Sequence, residues 1–186
     1  MKKILLLTVF IGTTLSGMAQ NANAQIQKIR DFYNLVQQQV KEGYSMENPI
    51  GTAIIDHIAT YSAVGYRKGK TEIYTYLYDG GDDYDSEMFN TQQVVFIRER
   101  YERGAWEHYN EFLYDENTYE PIFCLFHFLN SETGEPVDKR FYFSKGKLIK
   151  AIPADAAKQA KQVKSIAEHM YSFGRSIFED TGLEIE

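Results

Sequence analysis

The order of apolar and polar positions divides this chain into three parts. Lys2 and Lys3 precede an apolar run, Ile4 to Ile11, and a small-residue tail follows that ends in Ala22-Asn23-Ala24. From Gln25 to Glu42 apolar residues recur at helical spacing (Ile26, Ile29, Phe32 or Tyr33, Val36, Val40) with Gln, Lys and Arg between them. That spacing predicts an amphipathic helix, and Gly43 is its stop. Beyond Asn48-Pro49 the period shortens to two, the signature of strands.

Thr52 to Tyr61 reads as a strand from its β-branched content and the flanking Pro49, Gly51 and Gly65. Arg67 to Lys70 reads as a tight turn. Thr71 to Tyr78 alternates, with Ile73, Thr75 and Leu77 on one face and Tyr74, Tyr76 and Tyr78 on the other. A polar loop, Asp79 to Thr91, precedes strands at Gln93–Tyr101, Trp106–Tyr114 and Ile122–Asn130, the last almost wholly apolar. Lys139–Phe143 and Lys147–Ile152 form a hairpin about Lys145-Gly146. Pro153 opens a long helix whose apolar face is Ala156, Ala160, Val163, Ala167, Met170, Phe173 and Ile177.

The order is therefore helix, about seven strands, helix, without βαβ alternation. The expected fold class is α+β: a curved antiparallel sheet of about six to seven strands, with an N-terminal and a long C-terminal helix packed on one face. Residues 25–186 form a single domain in this reading.

The first 24 residues have the parts of a signal peptide: a positive start, a short apolar run and an A-x-A site. Gly17-Met18-Ala19 offers an alternative cut. The apolar run is too short for a spanning helix, and no later segment is long and apolar enough to cross a membrane. The expectation is a periplasmic or secreted protein with no integral membrane segment after cleavage. Loss of Lys2 and Lys3 takes the net charge from −6 to −8, which disfavours nucleic acid as a partner. The lone Cys124 cannot make an internal disulfide and sits in an apolar strand, so it reads as a buried small hydrophobe.

Several segments resemble small exported proteins of Bacteroides-type bacteria, a group without an assigned activity. They are the IRDFYNLVQQQ helix from Ile29, the EFLYDENTYEPIF strands from Glu111 and the RFYFSKGKLIK hairpin from Arg140. The resemblance implies an exported α+β protein and lends no catalytic residue.

Three constellations carry chemistry. The loop containing Asp79, Asp82, Asp83, Asp85 and Glu87 offers hard oxygens and glycines of the kind calcium uses, though its spacing departs from the EF-hand. His108 and His127 lie on neighbouring strands. A turn centred on Asn117-Thr118 places them opposite each other, as a metal pair or an acid–base pair with Glu99 and Glu111 nearby. Tyr74, Tyr76 and Tyr78 form an aromatic stripe that Tyr101, Trp106, Tyr109 and Tyr114 extend. Such rings with polar tips suit sugars, peptides and partner proteins. His57 and His169 stand alone.

G-x-S-x-G, H-E-x-x-H, P-loop and dinucleotide motifs do not occur. The leading expectation is an exported non-enzymatic binding module that presents the aromatic surface to a protein, peptide or glycan. The competing readings are a metal-dependent or His/carboxylate hydrolase using His108 and His127, and a structural protein stabilised by calcium in the Asp79–Glu87 loop.

Overall fold

Seven strands hydrogen-bond in chain order, each antiparallel to the next, into one open sheet. A computed structural model describes residues 2–45, 47–48, 50–61, 65–76, 93–103, 106–129 and 133–180. Helix α1 (Lys2–Glu42) leads into β1 (Ile50–Tyr61), β2 (Gly65–Tyr76), β3 (Gln93–Arg103), β4 (Trp106–Tyr114), β5 (Pro121–Leu129), β6 (Pro136–Ser144) and β7 (Lys147–Ile152). A 3₁₀ turn (Ala154–Gln159) then feeds helix α2 (Ala160–Asp180). The α+β class and the antiparallel sheet are as the sequence predicts. Among the described residues no helix is long and apolar enough to cross a membrane. The acidic loop and Tyr78 lie outside the described residues.

The expectation that both helices share one face is corrected. Cross-strand partners share a face, so the register sorts the core into two layers. Ile73, Ile97, Phe112, Cys124 and Phe141 follow one another across β2 to β6 and pack under Ala156, Val163, Ala167 and Phe178. Tyr74, Phe96, Leu113, Phe123 and Tyr142 occupy the other face and pack under Ile26, Ile29 and Val36 of α1. The result is three layers, helix–sheet–helix. The physical reason is legible in the strands: large apolar side chains point both ways, and each face needs its own cover.

Local chemistry explains the details. Gly174 lets α2 approach the sheet, since a Cβ there would sit 3.1 Å from the tips of both Ile73 and Ile97. The β6–β7 hairpin turns at Lys145 (φ 50°) and Gly146 (φ 69°), the pair of positive φ angles that suits the twist of the flanking strands. Arg67 to Lys70 is not a turn. It continues β2, paired with Ala59–Asp56 on one side and Arg103–Arg100 on the other. Bulges interrupt the ladder at Tyr74/Thr75, Leu113/Tyr114 and Tyr142/Phe143.

Candidate functional site

On the α1 face the apolar layer gives way to a cluster of charge. Glu111 on β4 is only 2% exposed, yet it is a carboxylate. It accepts a 2.6 Å hydrogen bond from the Tyr33 hydroxyl of α1 and a second, very short one from the Tyr109 hydroxyl. The Arg98 Nε lies 3.6 Å from it. Arg98 also reaches Glu72 Oε2 at 3.3 Å and donates to Gln37 Oε1 at 2.8 Å, while Lys70 pairs with Glu72 at 2.8 Å. A buried carboxylate persists only when paired and hydrogen-bonded, and Glu111 has both.

The surroundings shift the neighbouring groups. Burial, then the hydrogen bond to Glu111, pushes the Tyr109 hydroxyl up to about 12, and the same causes raise Tyr33 further. Burial and the Glu72 charge push Tyr74 up to about 12. Burial alone would raise Glu72, but Lys70 and Arg98 hold it below the usual carboxylate value. Burial opposes the charge on Arg98, yet Tyr109, Tyr74, Glu111 and Glu72 around it raise its pKa on balance. The bonds from Tyr33 to Glu111 and from Arg98 to Gln37 fasten α1 to the sheet through this cluster.

Further along the strands the sheet extends past both helix-packed cores. One cross-strand row on the α1 face is Arg100, Tyr109, His127 and Asp138. The Arg100 guanidinium lies 5.1 Å over the Tyr109 ring, and His127 Nδ1 is 2.6 Å from Asp138 Oδ1. The His127 hydrogen bond, and after it the charges of His127 and Arg140, draws the Asp138 carboxyl below its ordinary value. The next row, on the α2 face, is Tyr101, His108 and Phe128. Its rings stack in sequence, 4.5 Å between Tyr101 and His108 and 6.1 Å between His108 and Phe128, with Lys139 Nζ 5.1 Å over Phe128. Tyr101, His108, Tyr109, His127 and Phe128 all remain partly exposed and belong to neither core cluster.

The predicted sites fare differently. Tyr74 (5% exposed) and Tyr76 (8% exposed) are buried under α1, and Tyr114 is wholly buried under α2, its hydroxyl donating to the Ala167 carbonyl at 2.8 Å. The Tyr74–Tyr76 stripe is core, because α1 covers the face that carries it. Tyr109 stays partly exposed, and Trp106 is placed on β4. The pairing of His108 with His127 is corrected. The expected register holds at Tyr114 opposite Pro121, but the bulge between Leu113 and Tyr114 slips it by one residue. Tyr109 therefore faces His127, and the two histidines point to opposite faces. Glu99 accepts a 2.8 Å hydrogen bond from Asn110 Nδ2. Among the described residues no group of three or more His, Cys, Asp or Glu is arranged to hold a metal ion. His169 is exposed on α2.

Sequence reasoning did not single out Tyr33, Gln37, Glu72, Arg98, Arg100, Phe128 or Asp138. Arg98 and Glu111 did carry a signal, as opposite charges one strand apart at positions where the alternation expects core residues. A separate groove of about 500 Å³ runs between α1 and the β4–β5 and β6–β7 turns. It is lined by Lys28 and Lys145, by Asp115 and Glu116, and by apolar residues including Phe32 and Ile122. It contains none of the predicted site residues. The chain matches no protein family, no curated protein and no solved structure.

Proposed function

We propose that the chain is an exported binding module whose contact surface is the end of the sheet that extends beyond the two helix-packed cores. The observation that carries this reading is the stacked row Tyr101–His108–Phe128, partly exposed on one face. The Arg100–Tyr109–His127–Asp138 row backs it on the other. Aromatic rings held rigid by a sheet offer a large contact area at low entropic cost, and His108, Lys139 and Arg100 add polar groups that orient a partner. A protein, peptide or glycan fits this chemistry. The signal-like N-terminus supports placing the module in the periplasm or outside the cell. The surface is the aromatic one read from sequence, moved from the Tyr74–Tyr76 stripe to the neighbouring strands.

The test is to screen the chain against arrayed glycans and peptides and to map any hit by amide chemical shifts. Perturbations at Tyr101, His108, Tyr109 and Phe128 are the expected result. Perturbations confined to the groove beside α1 would contradict it.

A further inference from the structure

The two edges of the sheet are unlike each other. β7 is a short edge of 6 residues with exposed Lys147 and Lys150, the kind of side chains that block strand addition. β1 is an edge of 12 residues whose first charge is Asp56. Between Ile50 and Ile55 it carries only Gly, Thr, Ala and Ile. Ile54, in the middle of that stretch, is 57% exposed, and Thr52 and Asp56 beside it on the same face are exposed too. An edge stretch from Ile50 to Ile55 with an exposed isoleucine and no charge before Asp56 is a surface for another strand.

We propose that β1 pairs antiparallel with β1 of a second copy about a two-fold axis at Ile54, joining two sheets into one. The sequence of the edge selects this partner and register. Paired residues on antiparallel strands must share a face, so a symmetric pairing joins residues of the same parity. Centring on Ala53 sets Asp56 against Ile50. Centring on Ile55 sets Asp56 against Ile54, and centring on Asp56 sets two carboxylates together. Centring on Ile54 covers Ile54 with Ile54 of the second copy, sets Asp56 against Thr52, which can hydrogen-bond it, and sets Ala53 against Ile55. Within β1 this is the symmetric register that gives Ile54 an apolar neighbour and Asp56 a hydrogen-bonding one. The stacked Tyr101–His108–Phe128 row begins two strands inward, on β3, and lies clear of the new seam, so the dimer would carry two copies of that surface.

The test uses single cysteine variants of the full chain under mild oxidation, with sedimentation equilibrium of the parent. Directly opposed antiparallel residues lie within the Cα separation a disulfide spans, about 4.5–5.5 Å. Ile54→Cys should give a covalent dimer, and Thr52→Cys should not unless mixed with Asp56→Cys. The native Cys124 is buried and does not compete. Thr52→Asp, which opposes two carboxylates across each end of the pairing, should weaken the parent dimer about tenfold or more while leaving the monomer's melting unchanged. A chain monomeric at all concentrations would overturn the proposal. Cross-linking of Thr52→Cys alone as efficient as that of Ile54→Cys would overturn the register and the symmetric pairing with it.

Discussion

Tyr33 on α1 donates a 2.6 Å hydrogen bond to Glu111 on β4, joining residues 78 apart in sequence. The bond ends on a buried carboxylate that also faces Arg98, so its loss would leave that charge short of a donor. Tyr33→Phe should destabilise the fold by about 1.5–3 kcal/mol, the range for hydrogen bonds to charged groups. Urea denaturation checks this through the transition midpoint. In a Glu111→Gln background the same change should cost less, because the two residues act on one bond.

Gly174 makes the opposite contact possible, where α2 presses on the α2 face. Ile73 and Ile97, which a Cβ would meet at 3.1 Å, are fully buried and cannot swing away. Gly174→Val should destabilise by about 1–3 kcal/mol through overpacking. Gly174→Ala should cost less, since the helix gains about 1 kcal/mol from losing glycine. Thermal denaturation of the two variants orders them.

Alkali should unfasten the cluster. Tyr74 and Tyr109 titrate near pH 12 in the folded chain, against an ordinary value of 10.0. A group with a raised folded pKa contributes stability that is fully present below the unfolded pKa and is lost as pH rises toward the folded one. Stability should therefore fall between about pH 10 and 12. Tyrosinate absorbance and circular dichroism, followed together, should show these tyrosines ionising only as the helix–sheet packing is lost. Full ionisation of every tyrosine at pH 10 with the fold intact would contradict the assignment.

Much of this architecture was legible because period and length were strong. The 3.6-residue pattern of Ile26, Ile29 and Val36 marked α1, and the doubly apolar Phe123-Cys124 step marked a strand covered on both sides. The placing of the helices was not, because a strand pattern says which residues share a face but not which helix covers it. The histidine pairing was lost to a single bulge at Leu113/Tyr114, a feature of backbone geometry that residue types alone do not announce. The buried cluster was half-legible. Glu111 stands just before the apolar Phe112-Leu113-Tyr114 run, but its partner Tyr33 lies on a helix whose apolar face gives equal claim to Phe32.

Cys124 should be chemically silent in the native state. Burial alone pushes its thiol well above the ordinary value, so the reactive thiolate is scarce as well as shielded. A thiol reagent should label it only on the timescale of unfolding, and denaturant should make labelling immediate. Fast labelling of the native chain would mean that the layer beneath α2 opens readily.

The central claim is that the end of the sheet carrying the Tyr101–His108–Phe128 row binds a partner. It is tested most directly by the affinity of a ligand, found by screening, for the parent chain and for His108→Ala and Phe128→Ser, each shown by melting to remain folded. The account expects both substitutions to weaken binding about tenfold or more, as loss of a central aromatic contact does, while Tyr119→Ser on the distant β4–β5 turn leaves it unchanged. Equal affinity across all three variants and the parent would contradict it.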